Sequence, residues 1–248
     1  KASAFGGDAL LVAQRILDGW AVVVVAQPLA GRRKRLLVAD MDSTMVTGET
    51  LDELADFAGL KDRIAAITAR AMNGEIGFEA ALRERVGLLA GLSAACLEQT
   101  WERIEFTPGA RELVRTMKAH GATAILVSGG FRFFTGKVRD ICGFDRDVAN
   151  ELVVENGTLT GRVGDTIIGR EAKLATLRAA CADLGIGPEA AVAVGDGAND
   201  LDMLRAAGLG VAFHAKPVVA AEARVRVDHG DLTALLYAQG YRDAEWAA

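Results

Sequence analysis

Most of the features that mark a specialised class of protein are scarce in this sequence. Cysteine occurs 3 times in 248 residues. Cys96, Cys142 and Cys181 are scattered, odd in number and free of C-x-x-C spacing, which excludes a disulfide scaffold or thiolate metal site and leads us to expect a reducing compartment. Long hydrophobic runs are missing as well; Ala21 to Ala26, the longest near the start, is far too short to span a bilayer. Arg15 and Asp18 interrupt the only apolar region that could serve as a secretory signal, so a cytoplasmic protein without membrane association is expected. Because the chain opens on Lys1 rather than Met, residues upstream are expected. Basic excess is absent: 28 Lys and Arg against 33 Asp and Glu give a net charge of −5, which argues against nucleic acid as a partner. Internal repeats and low-complexity stretches are also absent. What remains is an ordinary globular composition, 51% hydrophobic and 25% charged, in a chain long enough for one sizeable domain and a smaller one.

The apolar pattern alternates strands and helices. Residues 1–35 read as a helix (about Asp8 to Leu17) and a strand (Trp20 to Gln27), closed by Pro28 and Gly31, too little to bury a core alone. For the run Arg32-Arg33-Lys34-Arg35 a solvated linker is expected in preference to an anion site. Leu36-Leu37-Val38-Ala39 then forms a buried strand. From Glu49 to about Ile104 the spacing is helical throughout, marked by Leu51, Leu54, Ala55 and Ala58, then Ile64, Ile67 and Ala71, then Leu97 and Trp101. That block interrupts the alternation and reads as an inserted cap. Thr107-Pro108 is expected to start a helix as cap and first helical residue, with Leu113, Val114 and Met117 facing inward and Gly121 at its end. A strand over Ala124 to Val127 leads into Ser128-Gly129-Gly130. Leu152 to Glu155 and Thr158 to Val163, joined through Asn156-Gly157, form a β-hairpin. Leu174, Leu177, Cys181 and Leu184 mark a helix ended by Gly185. A strand over Ala190 to Val194, a short helix carrying Leu201 and Leu204, and strands over Gly210 to Phe213 and Arg224 to Val227 follow. The fold class is therefore α/β, a doubly wound parallel sheet with an inserted all-helical cap. The expected divisions are an extension over 1–35, a core over 36–46 and 105–248, and a cap over 47–104.

Four stations at strand ends or helix starts carry the chemistry: Asp40-Met41-Asp42-Ser43-Thr44, Ser128-Gly129-Gly130, Lys173, and Gly195-Asp196-Gly197-Ala198-Asn199-Asp200. Ligand sites in open α/β sheets lie at the carboxyl ends of strands. Singly, each station has a plain structural explanation: an aspartate there is commonly a turn or helix cap, and a lysine is commonly solvated. Their ordered combination is specific. Two acidic loops at two parallel strand ends suggest one shared divalent metal with hard oxygen ligands, suited to Mg²⁺. The logic is phosphoryl transfer. A phosphate dianion repels a carboxylate nucleophile by about 4 kcal/mol per charge pair at about 4 Å and an effective dielectric near 20. A cation and Lys173 would offset this, while the Ser128 hydroxyl and Gly129 amide hold phosphate oxygens. Asp40 would attack phosphorus to form an aspartyl-phosphate, and Asp42 would protonate the leaving oxygen and later deprotonate water.

With these motifs in place the chain resembles the phosphatases of the haloacid dehalogenase superfamily, in particular the branch that acts on phosphoserine. The resemblance runs from about Leu36 to Asp231 and includes the cap, through Val46 to Leu54, Thr68 to Glu75 and Phe78 to Val86. It implies a Rossmann-like core and hydrolysis of O-phosphoserine, the last step of serine biosynthesis. It further implies a Mg²⁺ site formed by Asp40, the Asp42 carbonyl and Asp196, phosphate contacts from Ser128, Gly129, Lys173 and Asn199, and Asp200 orienting Lys173 or metal-bound water. Glu49 would take the substrate ammonium and Arg85 its carboxylate, with Phe78 and Met72 closing over it. Helical steps place Arg85 within the apolar stripe of Phe78, Ala81, Leu82 and Leu89, where it needs an anionic partner; substrate carboxylate and a salt bridge inside the cap both meet that need. Longer bacterial members carry a regulatory domain ahead of the core, of which residues 1–35 would be too small a remnant. Phosphotransfer to another hydroxyl such as homoserine, and a non-catalytic phosphoserine sensor, are the alternatives. The partner expected is a small molecule, and assembly into a homo-oligomer is left open.

Overall fold

The computed structural model describes residue 12 and residues 15–17, 20–72 and 75–247, with Met72 described by its backbone alone. Most of the helix expected over Asp8 to Leu17 lies outside the described residues. Six strands form the central sheet: β1 (Leu36–Ala39), β2 (Thr123–Phe131), β3 (Arg146–Asn150), β6 (Ala191–Gly195), β7 (Leu209–Phe213) and β8 (Val225–Val227). Their order is β3-β2-β1-β6-β7-β8 and every pairing is parallel, the doubly wound architecture expected. The hairpin β4 (Leu152–Glu155) and β5 (Thr158–Val163) turns through Asn156 and Gly157, both at positive φ as a tight hairpin turn demands.

Both faces of the sheet are covered, which is why β1 reads as an unbroken apolar run. Leu37 and Ala39 join one core with α5 (Ala110–Ala119), α6 (Arg132–Cys142) and α10 (Ala234–Gln239). Leu36 and Val38 join the opposite core with α7 (Arg170–Asp183), α8 (Leu201–Ala206) and α9 (Pro217–Glu222). Four helices lie between β1 and β2: α1 (Thr50–Phe57), α2 (Lys61–Met72), α3 (Phe78–Gly87) and α4 (Ala95–Trp101). They bury Leu54, Ile64, Leu82 and Leu97 in continuity with the first core. No helix among the described residues is long and apolar enough to cross a membrane.

The sheet order reverses at β1, and register fixes what meets there. Ala39 pairs with Val194 on one side and Leu126 on the other. Asp40 therefore follows β1 abreast of the residues that lead into Asp196 and Ser128.

Several local expectations are corrected. Residues 20–27 form no strand: Val23 and Val25 pack on the core, Trp20 and Val22 are exposed, and Gln27 donates to the Ala238 carbonyl at the end of α10. A β-branched run becomes a strand only beside a free sheet edge, and this one meets a helix end instead. The helix expected from Thr107-Pro108 begins at Ala110, after Gly109 at φ 80°. Thr107 and Pro108 are engaged elsewhere, Thr107 N donating to Met45 O and Pro108 O accepting from Leu232 N. The basic run is only partly a solvated linker, since Arg33 and Arg35 are exposed but Arg32 and Lys34 are engaged. Arg32 donates to Ala238 O (2.8 Å) and Tyr237 O (2.9 Å), carbonyls in the last turn of α10, while buried Lys34 donates to Gly31 O and Glu189 O.

Candidate active site

Past β1 the chain makes a wide turn over Met41–Met45, with Asp42 extended and Ser43 at φ 54°. That geometry sends the two carboxylates of the motif in different directions. Asp40, 4% exposed, accepts from Met41 N (2.7 Å) and lies 2.8 Å from Lys173 Nζ. Asp42 accepts from Thr50 N (2.8 Å) at the start of α1 and from Ser128 Oγ (3.2 Å). The cap role that any single aspartate could have is thus real for Asp42, but it occupies only one of its oxygens. Gly130 lies so close that a Cβ there would stand 2.6 Å from Asp42 Oδ2, which accounts for the glycine after Ser128-Gly129.

The second acidic loop comes from β6. Asp200 is fully buried, accepts from Gly197 N (3.0 Å) and pairs with Lys173 at 2.7 Å. Asp196 approaches Thr44 Oγ1 (3.5 Å) and Lys216 Nζ (3.7 Å). Lys173 itself is fully buried on the inner stripe of α7 with Leu177, Ala180 and Cys181. That stripe starts on the lysine rather than on the half-buried Leu174, because two carboxylates wait beneath it.

Burial dominates the titration of these groups. Asp40 is held well above the usual carboxylate range by burial and by Asp200, with Lys173 opposing. Asp42 is pushed up to about 6 by burial and by Glu49, against hydrogen bonds from Thr50 and Ser128. Asp196 is likewise pushed up to about 6, chiefly by burial. For Lys173 burial opposes the charge, but Asp200 and Asp40 outweigh it and the ammonium is stabilised. Oxygens of Asp40, Asp196 and Asp200 lie within 4.8 Å of one another. Three carboxylates against one buried ammonium leave two negative charges in an all-oxygen site, which fits a hard divalent cation.

One pocket joins Asp40, Asp42, Ser128, Gly129, Asp196 and Asn199 from the strand ends to Glu49, Phe78 and Arg85 from the helical segment. Lys173 and Asp200 support it from below through Asp40. Glu49 accepts from Ser43 Oγ (3.0 Å). Arg85 donates from Nε to Ala81 O (3.2 Å) and has no carboxylate within ion-pair distance among the described residues. Burial lowers its pKa, with Asp52 and Glu49 countering at longer range. Among the described residues no salt bridge to Arg85 is formed, and the guanidinium lines the pocket. The side chain of Met72 lies outside the described residues. Sequence reasoning missed Lys216, which lines the pocket, donates from its backbone to Asp196 O (3.1 Å) and stands 3.9 Å from Glu49. Its only signal was position, three residues beyond the end of β7 and ahead of Pro217.

Comparison with known proteins follows the same lines. The family model described as haloacid dehalogenase-like hydrolase matches residues 37–205. A phosphoserine phosphatase of Archaeoglobus fulgidus is 50% identical over 198 residues, 79% of this chain and 58% of that protein. One from Albidiferax ferrireducens is 47% identical over 228 residues, 89% of this chain and 96% of that protein. The chain thus spans little more than half the length of the first relative and nearly all of the second. A solved phospho-aspartyl intermediate analogue of phosphoserine phosphatase superposes with a TM-score of 0.77 at 40% identity, covering 83% of this chain and 98% of that one.

Proposed function

The chain belongs to the haloacid dehalogenase-like hydrolases, and from that premise we propose that it hydrolyses O-phosphoserine to serine and phosphate, closing serine biosynthesis in the cytoplasm. The observation that carries the proposal is the pocket in which Asp40 and Asp42 face Glu49 and an Arg85 that has no ion-pair partner among the described residues. Those groups match, in order, a phosphate ester, an ammonium and a carboxylate. The relatives' names support the same reading.

In the proposed reaction Ser128, Gly129, Lys173 and Asn199 bind the phosphate. Asp40 Oδ attacks phosphorus as the bond to the serine oxygen breaks, and Asp42 gives that oxygen its proton. A water then attacks the aspartyl-phosphate, losing its proton to Asp42, and phosphate leaves with Asp40 restored. Its raised pKa suits Asp42 to both transfers. Lys173, paired to Asp40 and Asp200, fixes the nucleophile and offsets its charge. Mg²⁺ held by Asp40, the Asp42 carbonyl and Asp196 would neutralise charge between nucleophile and phosphate, with Asp200 behind it. Phe78 and Met72 would close over the substrate. We assign residues 36–46 and 105–248 to the catalytic core, 47–104 to the cap and 1–35 to an amino-terminal extension.

Phosphate release from a panel of phosphomonoesters, with Mg²⁺ and then with chelator, tests the proposal. Phosphoserine should lead the panel, phosphoethanolamine, which lacks the carboxylate, should be poor, and chelator should stop turnover. An enzyme indifferent to the carboxylate would contradict the assignment of Arg85. Phosphotransfer would appear as a new phosphoester when an acceptor alcohol is added, and a sensor would bind without release; no observation of the site favours either.

A further inference from the structure

Phe78 opens α3 and remains 40% exposed, yet its ring is closely held. A Cβ at Gly129 would stand 3.3 Å from the ring's Cζ, and a Cβ at Gly169 3.2 Å from Cδ1. The ring thus rests against two backbones without side chains, one in the last stretch of β2 and one at the cap of α7. Backbone conformation does not require glycine at Gly169, whose φ of −121° and ψ of −158° suit any residue. What a side chain would press against there is the Phe78 ring, which would have to give by a few tenths of an ångström.

Asn150, the last residue of β3 and fully buried, ties the two backbones together. Its Nδ2 donates to Gly129 O (2.8 Å) and Ile168 O (3.4 Å), and its Oδ1 accepts from Ile168 N (2.7 Å). The amide therefore spends its polar atoms on the spacing between Gly129 and the loop that starts α7. We propose that Gly129 and Gly169 form a seat for the Phe78 ring that registers the helical segment over the pocket, and that Gly169 and Asn150 are positioning residues for the reaction. In its kinetic consequence this rests on the phosphatase reading above. Gly129 is the hub: its carbonyl is held by Asn150, its Cα faces the ring, and its amide is the proposed phosphate donor. Gly169 leads the helix that carries Lys173. Seating of the ring and shaping of the phosphate site thus depend on the same two backbones.

A size-exchange cycle tests this, comparing wild type, Gly169→Ala, Phe78→Leu and the double variant. Hydrogen exchange of the α3 amides is read without substrate, and kcat/KM with phosphoserine beside it. Gly169→Ala should speed α3 exchange at least roughly tenfold while β1 and β6 stay protected. It should lower kcat/KM about tenfold to hundredfold by misplacing the segment. Adding Phe78→Leu should recover most of the lost α3 protection, since the smaller side chain makes room for the methyl group, while kcat/KM stays low because Phe78 also covers the substrate. Wild-type exchange in Gly169→Ala, or α3 exchange that is faster still in the double variant, would overturn the seat. Asn150→Asp, isosteric but unable to donate to Gly129, should reproduce the faster α3 exchange. If its α3 exchange is unchanged, or protection is lost throughout the sheet, Asn150 is not a positioning residue. Variants that exchange as described, beside a wild type that releases no phosphate, count against the phosphatase reading alone.

Discussion

Asp40 and Asp42 stand two positions apart and share no partner. Asp40 is clamped by Lys173 and Met41 N, which suits a group that must keep one orientation. Asp42 accepts from Thr50 N and Ser128 Oγ and sits near pH 6, which suits a group that gives and takes a proton. If Asp42 is the acid, its protonated form is required for the first step and is lost as pH rises through about 6. A poor leaving group such as serine should feel that loss, and nitrophenolate should not. The first step with phosphoserine is therefore expected to fall more steeply above that pH than with nitrophenyl phosphate. Asp42→Asn should slow it by about 10²–10⁴-fold for phosphoserine alone. Burst measurements on the two substrates check both statements, and equal effects on both would remove Asp42 from the acid role. At this scale the motif residues were legible because their types and order are specific. Lys216 was not, since a lone lysine on a loop carries no signal until the fold sets it 3.7 Å from Asp196.

Elements were legible where periodicity was strong. β1, with four buried apolar residues, and the hairpin with Asn156-Gly157 could be read directly. β3 could not: Arg146-Asp147-Val148-Ala149-Asn150 places a charge in its interior, and Asp147 is buried only because Arg139 (2.7 Å) and Thr135 (2.7 Å) meet it. Its partner α6 escaped notice too, although Phe134, Val138 and Cys142 fall on one face. The basic run misled because sequence cannot say that α10 ends opposite Arg32. That contact makes its own prediction. Arg32→Ala removes two charged hydrogen bonds to the carbonyls of Tyr237 and Ala238. A loss of roughly 1.5–3 kcal/mol is expected in denaturant unfolding, with kcat/KM unchanged because the contact is remote from the pocket. A variant as stable as wild type would show that solvent replaces these bonds without loss.

The molecule as a whole brings two acidic loops together only because β1 lies between β2 and β6 at the point where the sheet order reverses. Placing Asp40, Asp196 and Asp200 around one lysine is a liability without a cation. Asp196 titrates at about 6 in the fold against 3.8 unperturbed, so its contribution is favourable below the unfolded value and is lost as pH rises through about 6. Near neutral pH that burden is roughly 3 kcal/mol. Metal-free protein should therefore gain stability as pH falls from 7.5 toward 5.5, and Asp196→Asn should raise its Tm while abolishing the shift caused by Mg²⁺. For wild type, Mg²⁺ at about 100 times its Kd should add roughly 2.7 kcal/mol. Thermal melts with and without metal check this, and a metal-free Asp196→Asn less stable than wild type would contradict it. The central claim is covalent catalysis by Asp40, and the most direct measurement is acid-quenched single turnover with ³²P-labelled phosphoserine followed by peptide mapping. Label should appear on the peptide containing Asp40 and be absent from Asp40→Asn, whose fold the isosteric change preserves. Phosphate release without labelled enzyme, or label surviving in Asp40→Asn, would contradict the account.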